Sequence, residues 1–99
     1  MAFTWLNKQG VQSDQGYVVQ VVDRFCVEYR EANRVLSVEV EDGIKDGRYC
    51  LIVSPGCFSR WDEMQLHESL DGDEQARIER NFREAMEFQG LAVVVEGPD

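Results

Sequence analysis

The sequence predicts an α+β domain: a mainly antiparallel sheet of four to five strands with one C-terminal helix packed on one face, in the order β-β-β-β-α-β. Three observations carry this. Residues 17–53 hold runs that alternate apolar and polar with a period of two. Residues 72–89 change to an apolar stripe of helical period, and an all-apolar stretch, residues 91–95, follows it.

Residues 17–22 (YVVQVV) are a β-branched run after the turn chemistry of Asp14-Gln15-Gly16, and residues 10–13 supply a short strand to pair with them. Residues 25–30 (FCVEYR) send Phe25, Val27 and Tyr29 to one face and Cys26, Glu28 and Arg30 to the other. Ala32-Asn33 suits a tight hairpin turn, with Asn33 at positive φ. Residues 34–41 (RVLSVEVE) oppose Leu36, Val38 and Val40 to Ser37, Glu39 and Glu41. These two strands therefore predict a meander with a dry side and a wet side. Asp42-Gly43 and Asp46-Gly47 mark a loop. Residues 48–53 (RYCLIV) are apolar on both faces, which predicts a more central strand, and Ser54-Pro55-Gly56 ends it.

Residues 57–70 have no clean period. Phe58, Trp61, Met64 and Leu66 reach the core from either a short helical turn or an ordered loop. In the helix, Ile78, Phe82, Ala85 and Met86 fall at i, i+4, i+7 and i+8 and should pack on the sheet with Val38 and Leu51. Asp71 or Ser69 caps its first turn, and Asp71 with Glu74 has the form of a capping box. Glu79–Arg83, Arg80–Glu84 and Arg83–Glu87 lace the outer face, and Gly90 is the expected left-handed stop. Residues 91–95 (LAVVV) are expected inside the sheet. With no linker, repeat or low-complexity tract, residues 1–99 read as one domain.

Nineteen acidic side chains face ten basic ones, a net charge of −9. Such a chain repels phosphates and anionic lipid, which argues against nucleic-acid and membrane partners and for basic protein surfaces. The excess is uneven. Residues 1–50 carry eight acids and six bases, residues 51–99 eleven acids and four bases. Much of the difference lies in Asp62, Glu63, Glu68, Asp71, Asp73 and Glu74, a stretch without Lys or Arg. Three cysteines, Cys26, Cys50 and Cys57, suggest reduced thiols, and no signal peptide or spanning segment is visible, so the expected location is cytoplasmic.

Little in the sequence does chemistry. Cys57 or Ser59 with His67 and Asp62 makes a nominal nucleophile, base and orienter, but no glycine-framed nucleophile turn surrounds them, and an exposed loop histidine explains His67 better. Cys26, Cys50, Cys57 and His67 number four, yet no Cys-x-x-Cys pair exists and the strand cysteines read as packing residues. Glu39 and Glu41 share a strand face, which is ordinary for a solvated sheet. No calcium loop or phosphate-binding glycine loop appears. The expectation is a binding protein and not an enzyme, with no metal and no cofactor.

Asp71, Asp73 and Glu74 are explained by helix capping and the helix dipole. Asp62, Glu63 and Glu68 are not, and they lie around Trp61. Acids around one aromatic match a protein-binding patch of anchor and steering charge, with Trp61 as a plain core residue the competing reading. The expected partner-binding residues are Trp61, Asp62, Glu63 and Glu68, with Glu39 and Glu41 on the wet sheet face. On this reading, neutralising Asp62, Glu63 and Glu68 together leaves folding stability unchanged.

The segments RVLSVEVED, FSRWD and ARIERNFREAMEFQGLAVVV, in this order over roughly residues 10–96, resemble the immunity protein 74 family of bacterial polymorphic toxin systems. The resemblance implies a cytosolic antidote that binds and blocks a cognate toxin protein encoded beside it, with no catalytic residues. Many such toxins are nucleases with basic clefts, which an acidic inhibitor suits. The alternative from another class is a small regulatory or adaptor subunit of a larger protein assembly.

Overall fold

A computed structural model describes residues 2–64 and 68–96. Leu66 and His67, singled out above, lie outside the described residues. Five strands form an antiparallel meander in chain order: β1 (Phe3–Asn7), β2 (Gly10–Ser13), β3 (Tyr17–Asp23), β4 (Cys26–Glu31) and β5 (Arg34–Glu39). A second sheet holds β6 (Glu41–Lys45), β7 (Arg48–Val53) and β8 (Val93–Val95), with β7 central and β8 parallel to it, Leu51 opposite Val93. Between β7 and β8 the chain passes through a 3₁₀ turn (Pro55–Phe58), an irregular loop and helix α1 (Gly72–Phe88). This is the α+β architecture expected, with one helix near the C-terminus followed by a last strand.

Local chemistry explains the joints. Ala32 and Asn33 both take positive φ (51° and 65°), the two-residue turn that matches strand twist, and Asp46 and Gly47 repeat it between β6 and β7. At Val40 the chain leaves one sheet for the other, its N–H bonded to the Phe25 carbonyl at 2.9 Å. Asp71 caps α1 by accepting from the Glu74 N–H at 2.8 Å. At the other end Gly90 (φ 85°) donates to the Glu87 carbonyl and Leu91 to that of Met86, which closes the last turn. Of the three helix pairs expected on the outer face, Glu79–Arg83 forms, at 3.9 Å.

The core is the space between the dry sheet faces and the helix. Val11, Val19, Val27, Leu36 and Val38 from the meander meet Leu51, Val53 and Val93 from the second sheet. Ile78, Phe82, Ala85 and Met86 cover them, as the stripe predicts. A row of rings runs across the dry face. Phe3 meets Tyr17 edge-on at 6.1 Å, Tyr17 stacks on Tyr29 at 5.5 Å, and Tyr29 on Trp61 at 6.1 Å. One polar chain crosses the same layer. Asn81 donates to the Tyr29 hydroxyl, which donates to Glu31, and Arg77 grips Glu31 with two bonds of 2.6 and 2.9 Å.

Phe3–Asn7 is a strand that the pattern did not announce. Four expectations are corrected. Residues 34–41 are not one strand, and Glu39 and Glu41 do not share a strand face: β5 ends at Glu39, and Glu41 begins β6 in the second sheet. Asp42-Gly43 is not a loop but the middle of β6, where Gly43 faces Cys50 and a Cβ would collide with the Ile52 side chain. Residues 91–95 do not lie inside a sheet: β8 is a three-residue edge, and Leu91 closes the helix terminus. Phe25 does not join Val27 and Tyr29 in the core. It sits in the β3–β4 turn, 59% exposed, because the alternation begins only at Cys26.

Candidate functional site

The wet face of the meander is set by register. Cys26 stands opposite Glu39, and Glu28 opposite Ser37, with side chains on the side away from the core. Beyond Glu39 the bend at Val40 swings the chain into the second sheet, leaving an open groove of about 880 Å³ at the junction. Asp23, Glu39, Glu41 and Glu96 line it, with Cys26, Val40, Ile52 and Cys57 as less polar wall and no Lys or Arg in the lining. Phe25 stands at its margin. The Phe25 N–H donates to the Asp23 carboxylate at 2.8 Å, which fixes the turn that presents the ring. Two cations lie outside the lining: Lys45, paired with Glu96 at 2.7 Å, and Arg24, between Asp42 at 3.6 Å and the Phe25 ring.

The local field is negative. Burial pushes the Cys26 thiol above its ordinary range, and Asp23, Glu28, Asp62 and Glu39 push it further in the same direction. Four carboxylates from three parts of the chain thus converge on one thiol, which resists becoming a thiolate and is a poor nucleophile. Cys57 sits across the groove with its Sγ 3.9 Å from the Glu39 carbonyl.

A second depression of about 380 Å³ adjoins the first through Ser37, Glu39 and Cys57 and continues to Trp61 and Asp62. The structure therefore brings together Glu39, Glu41 and Asp62 of the expected residues. Glu63 and Glu68 are exposed but line neither depression. Trp61 is 3% exposed and stacked on Tyr29, a core residue with no surface to offer as an anchor. Asp62 is bound to the fold: it accepts from the Ser37 N–H at 2.8 Å and the Ser37 hydroxyl at 2.6 Å, while its own N–H donates to the Val35 carbonyl. It dresses the outer edge of β5 as a strand would.

Sequence reasoning missed Asp23, Glu96 and Phe25. A signal existed for Asp23 and Phe25: Asp23 begins the short polar break Asp-Arg between two apolar runs, and a two-residue turn there releases Phe25 from the strand. Nothing local marks Glu96, which reaches the groove only through the parallel pairing of β8, its N–H on the Val53 carbonyl.

Chemically the arrangement suits cations on a large, shallow surface. Asp62, the proposed orienter of a catalytic group, is committed to Ser37. Among the described residues no cluster of three or more His, Cys, Asp or Glu is placed to hold a metal ion. Among the described residues no helix is long and apolar enough to cross a membrane. No family model, curated protein or solved structure matches the chain.

Proposed function

We propose that the protein is an immunity-type inhibitor that binds a basic partner protein, a cognate toxin domain, through the acidic groove at the junction of its two sheets. The observation that carries this is the lining: Asp23, Glu39, Glu41 and Glu96 around an open groove without a basic residue, with Phe25 exposed at its edge. Carboxylates held on strands present a fixed negative field, which steers a basic cleft and competes with phosphate for it. Phe25 takes the anchor role first assigned to Trp61, because it has ring surface to bury. The resemblance of the strand, loop and helix segments to immunity proteins supplies the partner class. Three free cysteines and the net charge of −9 support a cytoplasmic protein-binding role over nucleic-acid binding.

The test is binding kinetics with the product of the adjacent gene. The variant Asp23→Asn/Glu39→Gln/Glu41→Gln should associate about tenfold more slowly at low salt, with the difference closing as ionic strength rises. Phe25→Ala should leave association unchanged and speed dissociation. Parent-like rates for both variants at every salt concentration would sink the proposal.

A further inference from the structure

The eight strands leave four outer edges, and three of them are blocked. The edge of β5 is dressed by Asp62, which satisfies Ser37 and Val35. The edge strand β6 carries Glu41, Asp42 and Lys45, charges that discourage pairing. β8 is only three residues long. Among the described residues the edge of β1 carries no acid and no covering loop, and its regular ladder runs from Phe3 to Trp5 before a bulge that ends at Asn7. By the alternation of an antiparallel ladder, the Asp14 N–H bonded to the Ala2 carbonyl makes Thr4 the residue that faces β2 and turns the N–H and C=O of Phe3 and Trp5 outward. Trp5 and Leu6 are each 49% exposed on this strand, and Phe88 of α1, 44% exposed, meets Trp5 at 5.6 Å.

Charge selects the occupant. Residues 2–13 contain no Asp or Glu and a single Lys, in a chain of net charge −9. A basic partner finds nothing to attract it here, and an acidic one meets only Lys8. The strand is instead an acid-free edge where two copies of this chain can touch without bringing the carboxylates of that edge together. We propose that two copies pair β1 to β1, antiparallel about a two-fold axis, joining the two meanders into one continuous sheet. With the axis at Trp5, the outward N–H and C=O of Trp5 exchange with those of the second copy, and both indoles lie on the face that holds Phe88. Covering Trp5, Leu6, Phe88 and the strand backbone on both copies removes on the order of 1,000 Å² from water, the lower end for a specific interface and the size of a transient one. The acidic groove begins at the end of β3, two strand spacings away or about 10 Å, and extends to β5 and the second sheet, so it remains open in the dimer.

Light scattering over a concentration series measures the mass, and hydrogen exchange read by NMR measures the edge. The mass should rise towards twice the monomer. The Trp5 amide should exchange freely when dilute and become protected as concentration rises, while the Thr4 amide is protected throughout. Trp5→Pro removes an outward N–H without breaking a ladder bond and should weaken association roughly tenfold or more. Leu6→Lys, a substitution at a half-exposed site, should do the same if the proline disturbs β1 itself. Added salt should tighten the dimer, because the copies repel elsewhere. A protein still monomeric at about 0.5 mM, or a dimer in which the Trp5 amide stays unprotected, overturns the proposal.

Discussion

Asp62 fastens the loop after the 3₁₀ turn to β5 through both carboxylate oxygens and its own N–H. Glu63, its neighbour, is exposed. The two acids should therefore behave differently, against the expectation that all the loop acids are neutral for folding. Asp62→Ala should lower stability by ~1 kcal/mol, since it removes two charge-assisted bonds to Ser37, and Glu63→Ala should change it by less than ~0.5 kcal/mol. Denaturant melts of the two variants check this, and equal effects would mean the clamp contributes nothing. At this scale a sequence shows residue types but not their commitments. Trp61 beside acids reads as anchor or core with equal force until Tyr29 is seen stacked on it. Glu39 was legible because strand alternation fixes its side of the sheet whatever lies around it.

Elements were legible where local pattern and tertiary role agree. β3, β4, β5, β7 and α1 each carry the period of their own burial. β1 and β6 do not, because neither has a buried face: β1 is exposed at four of five positions and β6 at four of five. An edge strand held by its backbone bonds has no reason to alternate, and in β6 the Asp-Gly pair that signals a turn is used for close approach to Ile52. The tie between elements was equally hidden, for Glu31 and Arg77 are far apart in sequence. Their pair gives a pH dependence. The Arg77 hydrogen bonds hold the Glu31 carboxyl below its ordinary value of 4.5, burial opposing them and the Tyr29 hydroxyl adding to them. A depressed carboxylate stabilises the fold fully above the unfolded value, and the contribution is lost as pH falls through the lower folded value. Glu31→Gln should therefore destabilise at neutral pH and flatten the acid limb below about pH 4.5. Urea melts from about pH 3 to 7 read the slope, and an unchanged limb would show that Glu31 is not a source of acid lability.

The whole molecule joins a net charge of −9 to a fold that collects several of the acids on one junction. Bulk composition gave the sign of that field, but its location was not legible, since the groove exists only where the bend at Val40 and the parallel pairing of β8 bring Asp23, Glu41 and Glu96 beside Glu39. The halves of the sequence even point elsewhere: among the described residues the more acidic half, residues 51–99, contributes one carboxylate, Glu96, to the lining. Concentrated like charge has a consequence for stability that is independent of any partner. Asp23, Glu39, Glu41 and Glu96 line one groove, and like charges gathered there repel. Asp23→Asn/Glu39→Gln/Glu41→Gln should thus melt higher than the parent at low salt, by roughly 1–2 °C, while it binds the partner more slowly. The parent's melting temperature should rise with added salt as the repulsion is screened, and the two curves should meet near physiological ionic strength, where screening acts within about 8 Å. Thermal melts across a salt series suffice. A triple variant that melts lower than the parent at low salt would mean that these carboxylates hold the sheet junction together, and the groove would then be a structural seam and not a surface kept for binding.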